Sequence, residues 1–448
     1  KLSLLAIQQS LSVYIHKTIY FFFTNYILAR CLIVAKIKPF KWISEIWGKC
    51  NRGETVFRRF RKTIVVEANP SPSYTRTSKQ AERRTYYKLA LRKWYKLNDI
   101  KREKYRQLGL KHNLPAYQMF MKVMLLEPWR VLFDYVIVID NSYNSSDLSD
   151  FQVLLEVKND SSFFSTVKDK KYLEFYDTDM QTLLKHYVEE WDDINYNAKI
   201  WIKIPLIPAS SIKKIYLKVN TKRTEDLSDP ESVFDFFDDF LGDALDTSKW
   251  TPNYVNTVYY EVLNGELRIY DATKESNTYW IYDNSDTGSQ IKANFAPLDK
   301  MIVEWKQKME EQTVVENLGE VGLALVKSDN TIEVYNNEYD PTNDYIRYRI
   351  GSFAIINGSR NTSFIDILPD TYYIFRLIKN GNKYTHEVYD LEGNKIFEYS
   401  GESANAIDYM AIAVGAYGGN PFSPMRIDWV RVRKYAEPEP IVSYTETV

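Results

Sequence analysis

Two rhythms of apolar and polar residues divide this chain. Between residues 69 and 128, Tyr87, Leu91, Trp94 and Leu97 recur three or four apart, the interval that gathers side chains on one helix face. Ser78 is the expected cap of this first helix and Asn98 of a second, and Pro115 stands where a third helix accepts a first-turn proline. From residue 129 the period shortens to two. Short runs rich in Val, Ile, Phe and Tyr, separated by Asn/Ser/Asp clusters, predict antiparallel strands. Lys199 to Ile204 reads Lys, Ile, Trp, Ile, Lys, Ile, so Ile200, Ile202 and Ile204 take one strand face and Trp201 the other with the lysines. Asp390 to Lys395 reads as a hairpin turn between HEVY and IFEYS. The expected fold class is multidomain: a small, mainly α three-helix domain followed by two all-β antiparallel sandwiches.

Charge sharpens the division. Residues 1–130 hold 27 Lys/Arg against 7 Asp/Glu, and residues 131–448 hold 31 against 52, within a chain of net charge -1. The basic part suits a polyanion, so nucleic acid or an anionic surface is a candidate partner of residues 41–128, and a solvated helical face is the plainer reading. Candidate anion contacts are Arg58, Arg59, Arg61, Lys62, Arg83, Arg84 and Lys88. Aromatic residues make up 15% of the chain, with 35 tyrosines, a composition that favours strands and contact surfaces. Cys31 and Cys50 are the only cysteines and are expected to be free thiols.

Residues 1–40 form a hydrophobic amino-terminal segment with three open readings: an anchor, a contact helix or a non-native extension. The run at 13–35 approaches the ~20 residues that span a bilayer, but His16, Lys17, Asn25 and Arg30 interrupt it. Next come a basic β-like arm, 41–68, and the helical region, 69–128. Their text, ISEIWGKCNRGETVFRRFRKTIVVEA followed by NPSPSYTRTSKQAERRTYYKLALRKWYKL, resembles a small module of tailed-phage and archaeal-virus structural proteins.

Residues 129–230 carry KYLEFYDTD, AKIWIKIP and IPASS in an order that resembles an uncharacterised β-domain of archaeal and bacterial surface proteins. FFDDFLGDALDTSKW at 236–250 and RIDWVRVRKY at 426–435 resemble the opening and closing strands of the concanavalin-A-like jelly roll, the fold of laminin-G-type lectin modules and family-16-type glucanases. That resemblance implies a jelly roll over 231–436 and glycan chemistry within it, and leaves 437–448 as an extended tail.

A glucanase of this fold carries Glu-x-Asp-x-(x)-Glu on one strand, because a retaining mechanism needs two carboxyls about 5–5.5 Å apart. The spacing is not met in residues 251–435. Glu338-Tyr339-Asp340 begins it, but Pro341 does not suit a central strand and Thr342 replaces a carboxylate. Phe364, Asp366 and Leu368 keep the rhythm with a single acid. His16, His112, His186 and His386 have no ligand-spaced partners, so each is expected as a surface or core histidine. The chain is therefore expected not to be an enzyme and to need no cofactor, with an oxygen-rich turn at Asp340, Asn343 and Asp344 as a weak calcium candidate.

Binding is the remaining expectation. Candidate glycan contacts are Trp280, Tyr282 and Asn284, with Tyr335, Asn337 and Tyr417, since aromatic faces and amides suit sugar rings and hydroxyls. The expected role is a non-enzymatic surface or virion structural and adhesion protein at the cell surface, outside the cell or on a particle. Its expected partners are glycans or a cell-surface receptor, with self-assembly or other particle proteins at the helical end. The alternatives are a repeating subunit of a filament, coat or tail, and a diverged glycoside hydrolase.

Overall fold

The computed structural model describes residues 48–50, 55–60, 63–68, 77–253, 258–271, 289–310, 318–326, 332–336, 349–351, 364–368, 370–404, 406–417 and 425–447. The chain divides into two compact units, 1–87 and 88–448. In the first, β1 (Gly48–Cys50), β2 (Thr55–Phe60) and β3 (Thr63–Ala68) form an antiparallel three-stranded sheet. A helix over Ser78–Lys96 begins here. Its cap is Thr77, whose hydroxyl accepts from the Gln80 amide at 3.3 Å; Ser78, the expected cap, is already the first helical residue.

The second unit opens on the end of that helix and on helices Asp99–Lys111 and Ala116–Leu126. Asn98 caps the second, its side chain accepting from the Lys101 amide at 2.9 Å, and Pro115 occupies the cap position of the third. The shared core comprises Ala90, Leu97, Tyr105, Phe120, Met121 and Met124, with Trp94 packed against it. Tyr87 is exposed, so the stripe runs through Ala90 where the spacing pointed to Tyr87. Gly109 packs against the connection between the second and third helices: a Cβ there would lie 2.4 Å from the Leu114 carbonyl oxygen. Backbone cannot yield as a flexible side chain can, so Gly109→Ala is expected to lower stability by ~1–3 kcal/mol, read as a shifted denaturation midpoint. Among the described residues no helix is long and apolar enough to cross a membrane.

Six strands follow: β4 (Tyr135–Asp140), β5 (Leu148–Val157), β6 (Leu173–Tyr176), β7 (His186–Asp192), β8 (Asn197–Ile207) and β9 (Ile212–Val219). Ile200, Ile202 and Ile204 enter one core with Ile137, Ile139, Val153, Phe175 and Leu217, while Trp201 joins Val233, Phe234 and Phe237 in a separate cluster on the other face. The period-two reading of this strand therefore holds.

The next stretch supplies β10 (Phe236–Asp238), β11 (Trp250–Asn253), β12 (Val258–Leu263), β13 (Glu266–Asp271), β14 (Ser289–Ala293), β15 (Lys300–Met309), β16 (Leu318–Val326), β17 (Ile332–Asn336), β18 (Arg349–Gly351) and β19 (Phe364–Asp366). It continues with β20 (Tyr373–Asn380), β21 (Lys383–Tyr389), β22 (Lys395–Glu402), β23 (Tyr409–Tyr417) and β24 (Met425–Lys434). Among the described residues these give an eight-stranded sheet, β12-β13-β24-β15-β20-β21-β22 with β10 also on β24, and a five-stranded sheet, β11-β14-β23-β16-β17. Both sheets contribute to one core, including Trp250, Leu323, Leu325 and Ile412 from the smaller and Trp305, Phe375, Val388 and Val432 from the larger. The expected turn at Asp390–Lys395 joins β21 to β22, with Gly393 at φ 86.

The bracketing strings have a structural role. Asp238 accepts from the Trp250 indole N–H at 2.6 Å and from the Phe240 amide at 3.0 Å. Phe236 meets Trp250 edge-on at 5.1 Å. Burial pushes the Asp238 carboxyl up, and these donors act against it.

The carboxyl end differs from expectation. Residues 437–448 are not a free tail: β25 (Ile441–Glu446) pairs antiparallel with β4 from Ile441↔Asp140 to Glu446↔Tyr135. The sheet is thus β25-β4-β9-β6, packed over β5-β8-β7. Tyr444 donates to Asp160 at 2.7 Å and Thr447 to the Phe133 carbonyl at 2.8 Å. The first sandwich is completed by strands from both sides of the second. Its boundary could not be read from a local pattern, because the partner of β4 lies roughly three hundred residues away in sequence.

Candidate functional site

The closing strand β24 alternates Val430, Arg431, Val432, Arg433. Val430 and Val432 enter the core, which sends the arginines to the outer face of the eight-stranded sheet. Register then lines up Arg431, Glu304, Arg376 and Glu387 across β24, β15, β20 and β21. Opposite charges alternate along this row. Glu304 accepts from Arg431 Nε at 2.7 Å and from Arg376 Nε at 2.8 Å, and Arg433 Nε lies 3.6 Å from it. Its side chain is 1% exposed. Burial alone would raise this carboxyl, but Arg431, Arg376 and Arg433 outweigh it and hold the group far below the usual carboxylate range.

The row is buried because the first sandwich covers it. Arg431 also pairs with Glu189 of β7 at 2.9 Å, and Glu189 accepts from the Trp201 indole at 2.6 Å. The Arg431 guanidinium lies 4.9 Å from the Trp201 ring and 4.6 Å from that of Trp429. Buried Gln152 of β5 donates to the Val233 carbonyl at 3.1 Å and accepts from the Lys434 amide at 3.0 Å. These contacts fix the outer face of the larger sheet as a seam. Sequence reasoning did not find it, although the Val-Arg-Val-Arg alternation carried the signal that this face bears charge.

The five-stranded sheet presents the other face. Leu323, Leu325, Met410 and Ile412 point into the core, and Ala324 and Ala411, paired with one another, take the opposite side. Register pairs Tyr335 with Ala324, and two-residue steps along β23 put Tyr417 in phase with Ala411. Two of the six expected glycan contacts therefore belong to one sheet, in the same register phase but six residues, roughly 20 Å, apart along the strands. Trp280, Tyr282, Asn284 and Asn337 lie outside the described residues, as do the calcium candidates Asp340, Asn343 and Asp344. On the same outer side, Lys292 lies 4.3 Å from the ring of Tyr409.

Among the described residues, the acids in this sheet are Glu320 and Glu333, neither of which belongs to a run with the one-strand catalytic spacing. Glu320 pairs with Gly415, whereas Glu333 sits at a bulge beside Val326. Their separation along β16 is roughly 20 Å at ~3.3 Å per residue, far beyond the about 5–5.5 Å of a retaining carboxyl pair. Asp366 pairs with Arg349 in the short β18–β19 ladder. Among the described residues no group of three or more His, Cys, Asp or Glu could hold a metal ion.

The expected anion contacts fall on two elements and partly outside the described residues. Arg58 and Arg59 lie on β2, Arg61 and Lys62 fall outside the described residues, and Arg83, Arg84 and Lys88 are exposed on the first helix. His186 and His386 are core residues and His112 is at the surface.

Residues 169–253 match the family described as Domain of unknown function (DUF2341). This overlaps the segment whose text resembles a surface-protein β-domain and runs on through β10 and β11. No curated protein matches the chain. Solved structures similar to it include a glycosyl hydrolase family protein from Mycobacterium fortuitum, at 18% identity over 44% of this chain and 99% of that one, TM-score 0.31. A β-1,3-glucanase from Mycobacterium marinum has 14% identity over 44% and 98%, TM-score 0.31. The GH43 protein BlXynB from Bacillus licheniformis has 13% identity over 56% and 46%, TM-score 0.32. The activities in those descriptions belong to those proteins.

Proposed function

We propose that the chain is a non-enzymatic surface or virion protein that displays a concanavalin-A-like, lectin-like jelly roll, with its basic helical end serving attachment or assembly. The observation that carries this reading is the division of labour between the two faces of the second sandwich. Part of the outer face of its larger sheet, around β15 and β24, is taken up by the first sandwich through Glu304, Arg431 and Glu189. The five-stranded sheet is then the candidate for a ligand; its outer side is buried at Ala324, Tyr409 and Ala411, so a ligand is expected toward its margins. Tyr335 and Tyr417 share a phase on it, roughly 20 Å apart along the strands, a span for an extended glycan and not for one ring, and its described acids are too far apart to form a retaining pair. Among the described residues of this sheet, aromatics without a carboxyl pair suit holding a sugar better than cutting it. A sheet completed by the chain's own end also suits a part that must project as one body.

The test is a glycan array probed with the full chain, alongside a hydrolysis assay on β-glucans. The expected result is binding at millimolar ligand or better, weakened at least tenfold in Tyr335→Ala/Tyr417→Ala, with no released reducing ends. Hydrolysis abolished by Glu333→Gln would instead establish a diverged glycoside hydrolase, and a blank array would remove the lectin reading in its direct form.

A further inference from the structure

The seam between the two sandwiches is not closed along its whole length: a cleft of about 440 Å³ opens there, lined among others by Trp201, Glu304, Arg376, Tyr389, Arg433 and Glu439. We infer that this cleft is a second ligand site, separate from the five-stranded face, that takes the carboxylate of a monosaccharide-sized acidic sugar such as a hexuronate, and that Glu439 of the chain itself masks it.

Charge is the first argument. Three guanidiniums, of Arg376, Arg431 and Arg433, surround one fully buried carboxylate, Glu304. The two positive charges left over are met by three further acids, Glu387 at Arg376, Glu189 at Arg431 and Glu439 at Arg433, so the set balances only when Glu439 is withdrawn, and an incoming carboxylate can take its place. Glu387 and Glu189 are held in sheets, at 10% and 23% exposure. Glu439 differs. It belongs to the connection between β24 and β25 and is 40% exposed, whereas the Arg433 side chain it covers is 4% exposed.

The second argument is an unmet donor. Both terminal nitrogens of Arg433 bond to Glu439, yet its buried Nε has no hydrogen-bond acceptor. The Glu304 oxygen at 3.6 Å is an ion-pair neighbour beyond hydrogen-bond length. An arginine fork offers its full set of donors only to an acceptor placed along its edge, and a planar carboxylate free of the chain can take that position. Glu439, tethered beside Pro438 and Pro440, takes only part of it.

Size and surroundings set the ligand class. A cleft of this volume suits one pyranose ring better than a macromolecular segment. Trp201 and Tyr389 give apolar surface beside the charges.

Calorimetric titration of the full chain tests this, with D-glucuronate as probe and D-glucose and acetate as comparisons. Glucuronate is expected to bind the native chain weakly and Glu439→Gln about tenfold more tightly, because the competing carboxylate is gone. Arg433→Gln is expected to lose binding at least tenfold, and Arg433→Lys to recover little of it, since charge without the fork does not suffice. Were Arg433→Gln to misfold, Glu439→Gln alone would decide, its side chain lying at the rim. Three outcomes overturn the inference: no tightening in Glu439→Gln, equal binding of glucose, or undiminished binding by a folded Arg433→Gln. Acetate binding as tightly as glucuronate would overturn the sugar assignment. A blank glycan array with glucuronate bound here would separate this site from the five-stranded face.

Discussion

Replacing Glu304 by Gln is expected to cost ~3–5 kcal/mol of stability, more than any other single substitution in the seam. The magnitude follows from what remains afterwards. An amide at this position keeps the shape and one acceptor, but Arg376 and Arg431 then face one another across β15 with the carboxylate that separated them gone. Arg431 and Arg433 are 8% and 4% exposed, so water cannot take over the role of the lost charge. Removing one member of a buried network leaves the others uncompensated, whereas removing an exposed pair costs less than about 1 kcal/mol. Urea denaturation supplies the readout: the midpoint should fall with the slope preserved if the second unit still unfolds as one. Should the seam be the main tie between the sandwiches, Glu304→Gln will also split one calorimetric transition into two. A midpoint shift equivalent to under about 1 kcal/mol, the scale of an exposed pair, would mean that Gln152, Lys434 and the returning β25 hold the sandwiches together without the charge row.

How much of this could be read beforehand depends on the distance over which each feature is specified. Local features were legible. The cap at Asn98, the inward isoleucines of β8 and the hairpin at Asp390–Lys395 each follow from residues within one turn or one strand, where backbone sterics and the pleat act directly. Features set by distant partners were not. Ile441–Glu446 has no pattern of its own that distinguishes a sheet strand from an extended tail; only β4, apolar from Tyr135 to Ile139 and in need of a neighbour, makes the difference. Arg431 and Arg433 present the same limit in another form. Alternation put them outside the jelly roll, and an outside arginine reads as solvated unless the surface that covers it is known. The acids were hidden for a related reason: a catalytic spacing rule asks for three acids on one strand, whereas those of the five-stranded sheet, Glu320 and Glu333, stand on neighbouring strands and gain meaning only through register. Tyr335 and Tyr417 stand out by residue type alone, and it is register that places them in one phase.

Acid should destabilise the second unit well before its carboxylates begin to protonate. His186 and His386 are buried, and neither ring nitrogen of either has a hydrogen-bond partner in the protein. His186 meets Phe175 edge-on at 5.0 Å, and His386 lies between Leu377 and Tyr399 in register. Burial depresses both, His186 to about 4 and His386 to about 3, because a cation in either position would lack solvation and a partner. The unfolded chain takes up these protons near pH ~6.5. Below that pH the unfolded state binds more protons than the folded one, so stability falls as pH falls, and the decline continues until the folded rings protonate. By pH ~4 each ring should have cost roughly 3 kcal/mol. Carboxylates act in both directions. Glu304, Glu174 and Glu310 are depressed in spite of burial, because arginine and amide partners outweigh it, so their contribution is lost only as pH drops below the ordinary carboxylate range. Asp235 and Asp238 are raised, chiefly by burial, and favour the folded state as they protonate. As pH falls from ~6.5 toward about 4.5 the two histidines lower stability, against the opposing gain from Asp235 and Asp238. His186→Phe/His386→Leu is expected to flatten stability across that interval while leaving the midpoint at pH ~8 within ~1.5 kcal/mol, since both replacements are apolar and near in volume. Urea midpoints measured at half-unit steps of pH would decide it: an unchanged slope in the double variant would place the acid sensitivity in other groups.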